Sequence, residues 1–202
     1  MKRIFLPLLT ILGLALLVGG GVAACSTFTS TPEFNGTEYP EPRDTPAFTL
    51  TGAAGDDVSL SDFRDKVVLI YFGYTFCPDA CPTTMADLAR VQRQLGDGAE
   101  AVQVLMVSVD PQRDTPQAAQ AYAESFDPSF IGLSGTEAQI AAAAEPFGVF
   151  YEAHDGGEGS GYLVDHTARV FLINRQGELH LTYPFGAPPE EIAADLRYLV
   201  RE

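Results

Sequence analysis

A three-layer α/β sandwich around a mixed central sheet is the fold class this sequence predicts, and three observations carry the prediction. The apolar run at 67–72 is unbroken, as in a strand covered on both faces. Strand-like and helix-like segments alternate after it through residue 147. A pair of strands around the turn Arg175-Gln176-Gly177 and an amphipathic helix close the chain. With 202 residues, 46% hydrophobic and 19% charged, the chain suits one core plus an extra segment and is too short for two ordinary domains.

The extra segment is N-terminal. Met1-Lys2-Arg3 followed by an apolar run has the charged and hydrophobic regions of a secretory signal over residues 1–24. It ends in V-A-A-C, and small residues before Cys25 resemble the lipobox of bacterial lipoproteins, in which the signal is cut before a cysteine that then carries the lipid. The alternative is an uncleaved anchor helix over 4–24, long enough to span a bilayer. Both place the domain on the extracytoplasmic side of a bacterial cell membrane, lipid-anchored in the first case. Residues 25–44, rich in Ser, Thr, Pro and Gly, read as a tether, and the domain is expected over 45–202.

Within the domain, 47–51 and 58–60 suggest an opening hairpin around a Gly/Asp turn, and 67–72 is the first buried strand. Helix 82–95 leads to strand 102–109, helix 116–126 to strand 130–133, and helix 136–147 to a glycine-rich loop at 156–161. Strands 169–174 and 178–183 and helix 189–199 follow. A thioredoxin-like fold fits this order.

Charge narrows the ligand class. The chain holds 12 basic and 27 acidic residues, a net charge of -15, which excludes nucleic acid and anionic lipid surfaces as ligands. It favours cationic partners, or simply keeps the domain soluble.

The cysteines narrow it further. Of three, Cys25 belongs to the anchor, so Cys77 and Cys81 pair with each other or with a ligand in a compartment where disulfides persist. A structural disulfide between them would close a short loop and stabilise little. Pro82 suits a first helical position, which makes Cys81 the expected cap and puts both sulfurs at a helix N-terminus, where the dipole lowers thiol pKa. Asp79 between them opposes this. Two thiolates suit copper(I), with a single imidazole to complete the site. Three histidines are available: His154 at the edge of the glycine-rich loop, His180 in an alternating strand where a surface place is expected, and His166 directly before an apolar strand.

F-G-Y-T-F-C-P-D-A-C-P-T-T around the cysteines, V-S-V-D-P-Q-R-D-T-P at 107–116, G-L-S-G-T at 132–136 and Y-L-V-D-H-T-A-R-V-F-L-I at 162–173 together resemble the Sco/SenC copper chaperones, from residue 45 to 202. The resemblance implies a thioredoxin-like fold in which Cys77, Cys81 and His166 bind copper, as Cu(I) with Cu(II) left open, for delivery to the CuA centre of cytochrome c oxidase subunit II or another extracytoplasmic acceptor. It also implies that the D-H-T segment folds back beside the cysteine loop. Some family members act instead as thiol–disulfide reductants of the CuA cysteines, with Cys77 and Cys81 as the redox pair and a thioredoxin-like reductant as partner. In the D-P-Q-R-D-T-P block, Asp114 or Thr115 can cap a helix with Pro116 in its first turn, and Asp110 and Arg113 are candidate partner contacts.

Two absences favour metal binding over dedicated redox catalysis. No proline occurs between Pro146 and Pro184, where a thioredoxin-type reductant carries the proline that faces its cysteines, and His166 stands near that place. Peroxiredoxin chemistry wants Thr or Ser three residues before the reactive cysteine, and Tyr74 is there.

Overall fold

The computed structural model describes residues 33–45, 48–157 and 161–201. The signal segment and Cys25 lie outside the described residues. In chain order the elements are β1 (Thr37–Asp44), β2 (Thr49–Thr51), β3 (Asp57–Ser59), β4 (Val67–Gly73), α1 (Ala80–Leu95), β5 (Val102–Ser108), α2 (Pro116–Glu124), β6 (Ile131–Leu133), α3 (Glu137–Ala144), β7 (Tyr151–Asp155), β8 (Tyr162–His166), β9 (Arg169–Ile173), β10 (Glu178–Pro184) and α4 (Pro189–Leu199).

Six strands form the central sheet in the order β1-β10-β9-β4-β5-β6. β4, β5 and β6 run parallel, whereas β9 is antiparallel to β4, β10 to β9 and β1 to β10. This is the mixed thioredoxin-like arrangement expected from the sequence. Every residue of β4 and β5 is buried, which is why β4 is continuously apolar and β5 is apolar from Val104 to Val107 instead of alternating, with Gln103 and Ser108 as its buried polar residues. At ~1.5–3 kcal/mol per large side chain, these two strands anchor the fold, and their C-terminal ends fix the loops that follow. α1 packs with α4, and α2 lies along β5 and β6. That last approach is close enough to require glycine: a Cβ at Gly132 would stand 2.1 Å from the Ala119 carbonyl oxygen of α2.

The domain starts earlier than expected. Residues 37–44, read from composition as tether, form β1 and pair with β10 along the sheet edge. Pro40 and Pro42 fall inside the register shift between Glu38 and Arg43, and an edge strand tolerates prolines because one side of its ladder needs no N–H. The preceding turn is held by Asp195 of α4, only 3% exposed. Its carboxylate accepts the backbone N–H groups of Asn35 (3.1 Å) and Gly36 (2.9 Å) and the Tyr183 hydroxyl (2.9 Å).

Two more differences bear on the site. On either side of the glycine-rich stretch, β7 and β8 pair as a separate two-stranded antiparallel sheet, in register from Tyr151 opposite His166 to Asp155 opposite Tyr162. His166 therefore ends a strand instead of beginning one. Helix α1 starts at Ala80 with Asp79 at the cap position, so Cys81 is already helical. Pro82 sits in the first turn, where its missing N–H has no helical partner in any case.

Candidate metal centre

Cys77, Cys81 and His166 meet at the C-terminal end of β4. One ligand atom from each lies within 4.8 Å of the others, and they are the one group of three such residues among the described residues. The Cys81 sulfur is 3.3 Å from His166 Nε2, and both cysteines are free thiols. The distant D-H-T segment thus folds back onto the cysteine loop. His154 does not join it: it stands exposed on β7 with Nδ1 3.5 Å from an Asp165 carboxylate oxygen. Nor does His180, which faces Glu38 of β1 at 3.4 Å and is more covered than its expected surface place.

The loop carrying Cys77 is fixed by Asp114, which is completely buried. Its carboxylate accepts the Thr75 N–H (2.9 Å), the Thr75 hydroxyl (2.6 Å) and the Ser108 hydroxyl (2.7 Å), so the cysteine loop is stapled to the end of β5. The α2 cap is Thr115, whose hydroxyl accepts the Ala118 N–H. Asp114 is therefore a site residue that helix-cap reasoning missed; the sequence signal was two adjacent residues both able to cap one helix.

A second tie joins this loop to the hairpin of His166. The Arg113 guanidinium lies 3.7 Å from the Tyr162 ring centroid, 4.9 Å from Phe76 and 5.6 Å from Tyr74. It donates to the Tyr162 carbonyl at 2.8 Å and pairs with Asp110. Asp110, 3% exposed, also accepts the Tyr162 hydroxyl at 2.6 Å. Expected as partner contacts, these two residues instead spend their polar groups inside the domain, bridging the ligand-bearing segments.

The His166 ring is set edge-to-face against Tyr71 (5.9 Å, 79°) and Tyr74 (5.8 Å, 88°). Its Nδ1 is buried without a hydrogen-bond partner, so the two tyrosines orient the ring by shape instead of by the usual bond to the second nitrogen. Tyr71 also donates its hydroxyl to the Cys81 sulfur at 3.6 Å, and burial drives its own pKa upward. A Cβ at Gly73 would come within 2.9 Å of the Cys81 sulfur, so glycine at the strand end makes room for it.

The two thiols are not equivalent. Hydrogen bonding from Cys81, chiefly, and from the backbone N–H groups at Asp79 and Cys81 holds the half-exposed Cys77 at about 4 despite partial burial. The neighbouring Cys77 side chain, and then burial, push the Cys81 thiol well above its ordinary range. A common lowering of both by the helix dipole was the expectation. Burial of Cys81 defeats it, because one thiolate is stabilised at the expense of a second beside it. A soft monovalent ion resolves the conflict: it replaces both thiol protons, cancels one negative charge and suits a two-sulfur, one-imidazole donor set. The residues present fit copper(I).

The model of the SCO1/SenC family matches residues 37–201. The mitochondrial SCO2 homolog of Bos taurus is 37% identical over 152 residues, covering 74% of this chain and 57% of that protein, so the chain spans little more than half the length of this curated relative. Among solved structures, apo Sco1 of Thermus thermophilus aligns with TM-score 0.75 at 44% identity, covering 84% of this chain and 99% of that one. Bradyrhizobium japonicum ScoI, solved with copper bound, aligns with TM-score 0.70 at 39% identity, covering 77% and 98%. Fold, centre and relatives agree: the chain belongs to the SCO1/SenC family.

Proposed function

We propose that this chain is a membrane-tethered copper chaperone that holds copper(I) on Cys77, Cys81 and His166 and passes it to the CuA site of cytochrome c oxidase subunit II. The observation that carries the reading is the convergence of those three donors from separate segments. The copper-bound relative ScoI, at 39% identity, supports copper as the cargo, and the acceptor follows from the family resemblance. Lipidation at Cys25 and the segment after it would keep the domain at the extracytoplasmic face of the membrane.

The asymmetry of the thiols gives the transfer an order. Cys77 is half-exposed and Cys81 fully covered, so an incoming soft ligand meets Cys77 first and displaces it, while Cys81 and His166 retain the ion until a second acceptor ligand arrives. Each exchange trades one soft ligand for another, so no intermediate leaves the metal bare.

The same asymmetry favours a second reading, thiol–disulfide reduction of the acceptor. The Cys77 thiolate attacks a substrate disulfide and releases one thiol, Cys81 then resolves the mixed disulfide, and the chain keeps a Cys77–Cys81 disulfide. His166 Nε2, 3.3 Å from the Cys81 sulfur, is placed to take the proton that Cys81 gives up. Anaerobic mixing with the copper-free subunit II domain separates the readings. Copper arriving on an acceptor already reduced supports delivery; copper-independent reduction of an oxidised acceptor, abolished by Cys77→Ser, supports reduction.

A further inference from the structure

The end of the domain that carries the centre is unusually apolar for so acidic a protein. Four large hydrophobic side chains are exposed among the described residues, and three sit at this end. Phe76 (59% exposed) precedes Cys77. Phe150 (59%) is bonded to the neighbour of His166: its carbonyl accepts the Thr167 N–H at 2.9 Å, and its N–H donates to the Thr167 hydroxyl at 3.0 Å. Phe185 (47%) shares a small cleft with Thr84, on the first turns of α1, and with Ala168. Single exposed hydrophobics are ordinary, but three around one ligand set form an apolar ring.

Beside that ring the charge is negative. Glu152 and Asp165 stand directly opposite each other across β7 and β8, both exposed, and like charges in that relation destabilise a strand pair. Asp79 is exposed between the two cysteines. Of the nearby basic groups, Arg113 is committed to Asp110 and the rings, Arg169 reaches Thr182, and His154 stands 3.5 Å from Asp165 on the same hairpin, which leaves Glu152 and Asp79 to face a partner. A cavity of about 400 Å³ adjoins the hairpin, with Ile140, Tyr151 and Val164 as apolar wall and Glu137 and Glu152 as carboxylates. It has the size and charge to seat a long cationic side chain.

We propose that Phe76, Phe150 and Phe185, with Glu152 and Asp79 beside them, form a docking face for a protein whose own soft-ligand site lies in an apolar patch ringed by Lys and Arg; the proposal rests on the delivery reading and specifies the surface of its acceptor. A second copy of this chain is disfavoured as occupant, since a two-fold contact would press acidic hairpins together on chains of net charge -15. The apolar ring excludes water around the exchanging ligands, and the acidic hairpin steers and orients the approach. The like-charged pair costs the free domain stability that a partner's cation restores.

The test uses the copper-loaded chain, the copper-free soluble domain of a cytochrome c oxidase subunit II as acceptor, and the small chelator bathocuproine as control. Transfer to the acceptor is expected to fall about tenfold as salt rises from about 20 to about 200 mM, and by at least about tenfold in Phe150→Ser/Phe185→Ser. Removal by bathocuproine keeps its wild-type rate. Glu152→Lys slows transfer while raising Tm, because it makes the cross-strand pair opposite in charge; a purely structural residue would not move the two in opposite directions. Wild-type transfer rates in all variants overturn the docking face and leave copper delivery standing. If the wild type holds copper and transfers none, the delivery reading falls, and the face is judged by amide shifts of the isotope-labelled, copper-free chain titrated with the same acceptor domain. Shifts confined to the loops of the three phenylalanines support it, and their absence overturns it. A dimer in sedimentation that Phe150→Ser dissociates assigns the face to a second copy and overturns the proposal.

Discussion

Cys77 of the reduced, metal-free chain should react with an aromatic disulfide reagent at a rate that hardly changes between about pH 7 and about pH 5. Its pKa lies at about 4, against about 8.5 for an ordinary cysteine. At pH 7 an ordinary thiol is only ~3% thiolate, and at pH 5 only ~0.03%, whereas Cys77 is almost entirely thiolate throughout. The lower pKa also makes each thiolate a weaker nucleophile: with a Brønsted coefficient near 0.45, a drop of ~4.5 in pKa costs ~100-fold in rate. Combining the two, Cys77 should react about threefold more slowly than an unfolded-chain cysteine at pH 7 and about thirtyfold faster at pH 5. The same group ties stability to pH. Between about 4 and about 8.5 the native chain binds fewer protons at Cys77 than the unfolded chain, so this contribution to stability rises with pH across that window and is lost as pH falls through about 4. Stopped-flow release of the chromophoric leaving thiol gives the rate, and mass mapping under a quench gives the site. An inflection near pH 8.5, or first attack by Cys81, would refute the assignment of the two thiols.

Arg113→Ala should destabilise the domain by about 2–4 kcal/mol, since it leaves Asp110 buried without its cation and removes three ring contacts; urea unfolding measures this, and Arg113→Lys should recover only part of it. Gly132→Ala should cost about 1–3 kcal/mol or more, because α2 must lift off β6 to admit the methyl group, lowering Tm by roughly 2–4 °C per kcal/mol in a chain of this size. Asp195→Ala should cost about 3 kcal/mol by orphaning the Tyr183 hydroxyl and two backbone N–H groups, and hydrogen exchange should show residues 35–44 losing protection before the rest of the sheet.

What the sequence revealed and hid follows from where the energy lies. β4, β5 and α4 were legible because burial on two faces or one leaves a direct imprint, a solid apolar run or a helical stripe. β1 was not, since a strand at the edge, held by one ladder and containing Pro40 and Pro42, has the composition of a linker. The β7–β8 hairpin was hidden by its exposure: four of the five residues of β7 face solvent, so no hydrophobic alternation marks it. The cysteines announced themselves, whereas His166 was one of three available histidines until the family motif singled it out, because Cys81, its partner at 3.3 Å, is 85 residues away in sequence. The supporting groups, Asp114 under Thr75 and Arg113 between Phe76 and Tyr162, depend on long-range contacts that no local pattern encodes.

X-ray absorption at the copper edge, on anaerobically loaded wild type and His166→Ala, tests the account most directly. Two sulfur ligands and one nitrogen are expected at one copper(I) per chain in the wild type, with the nitrogen lost and affinity lowered by at least the ~10–100-fold that loss of a supporting group costs in a variant that keeps its fold. An unchanged spectrum and unchanged affinity in His166→Ala would contradict it.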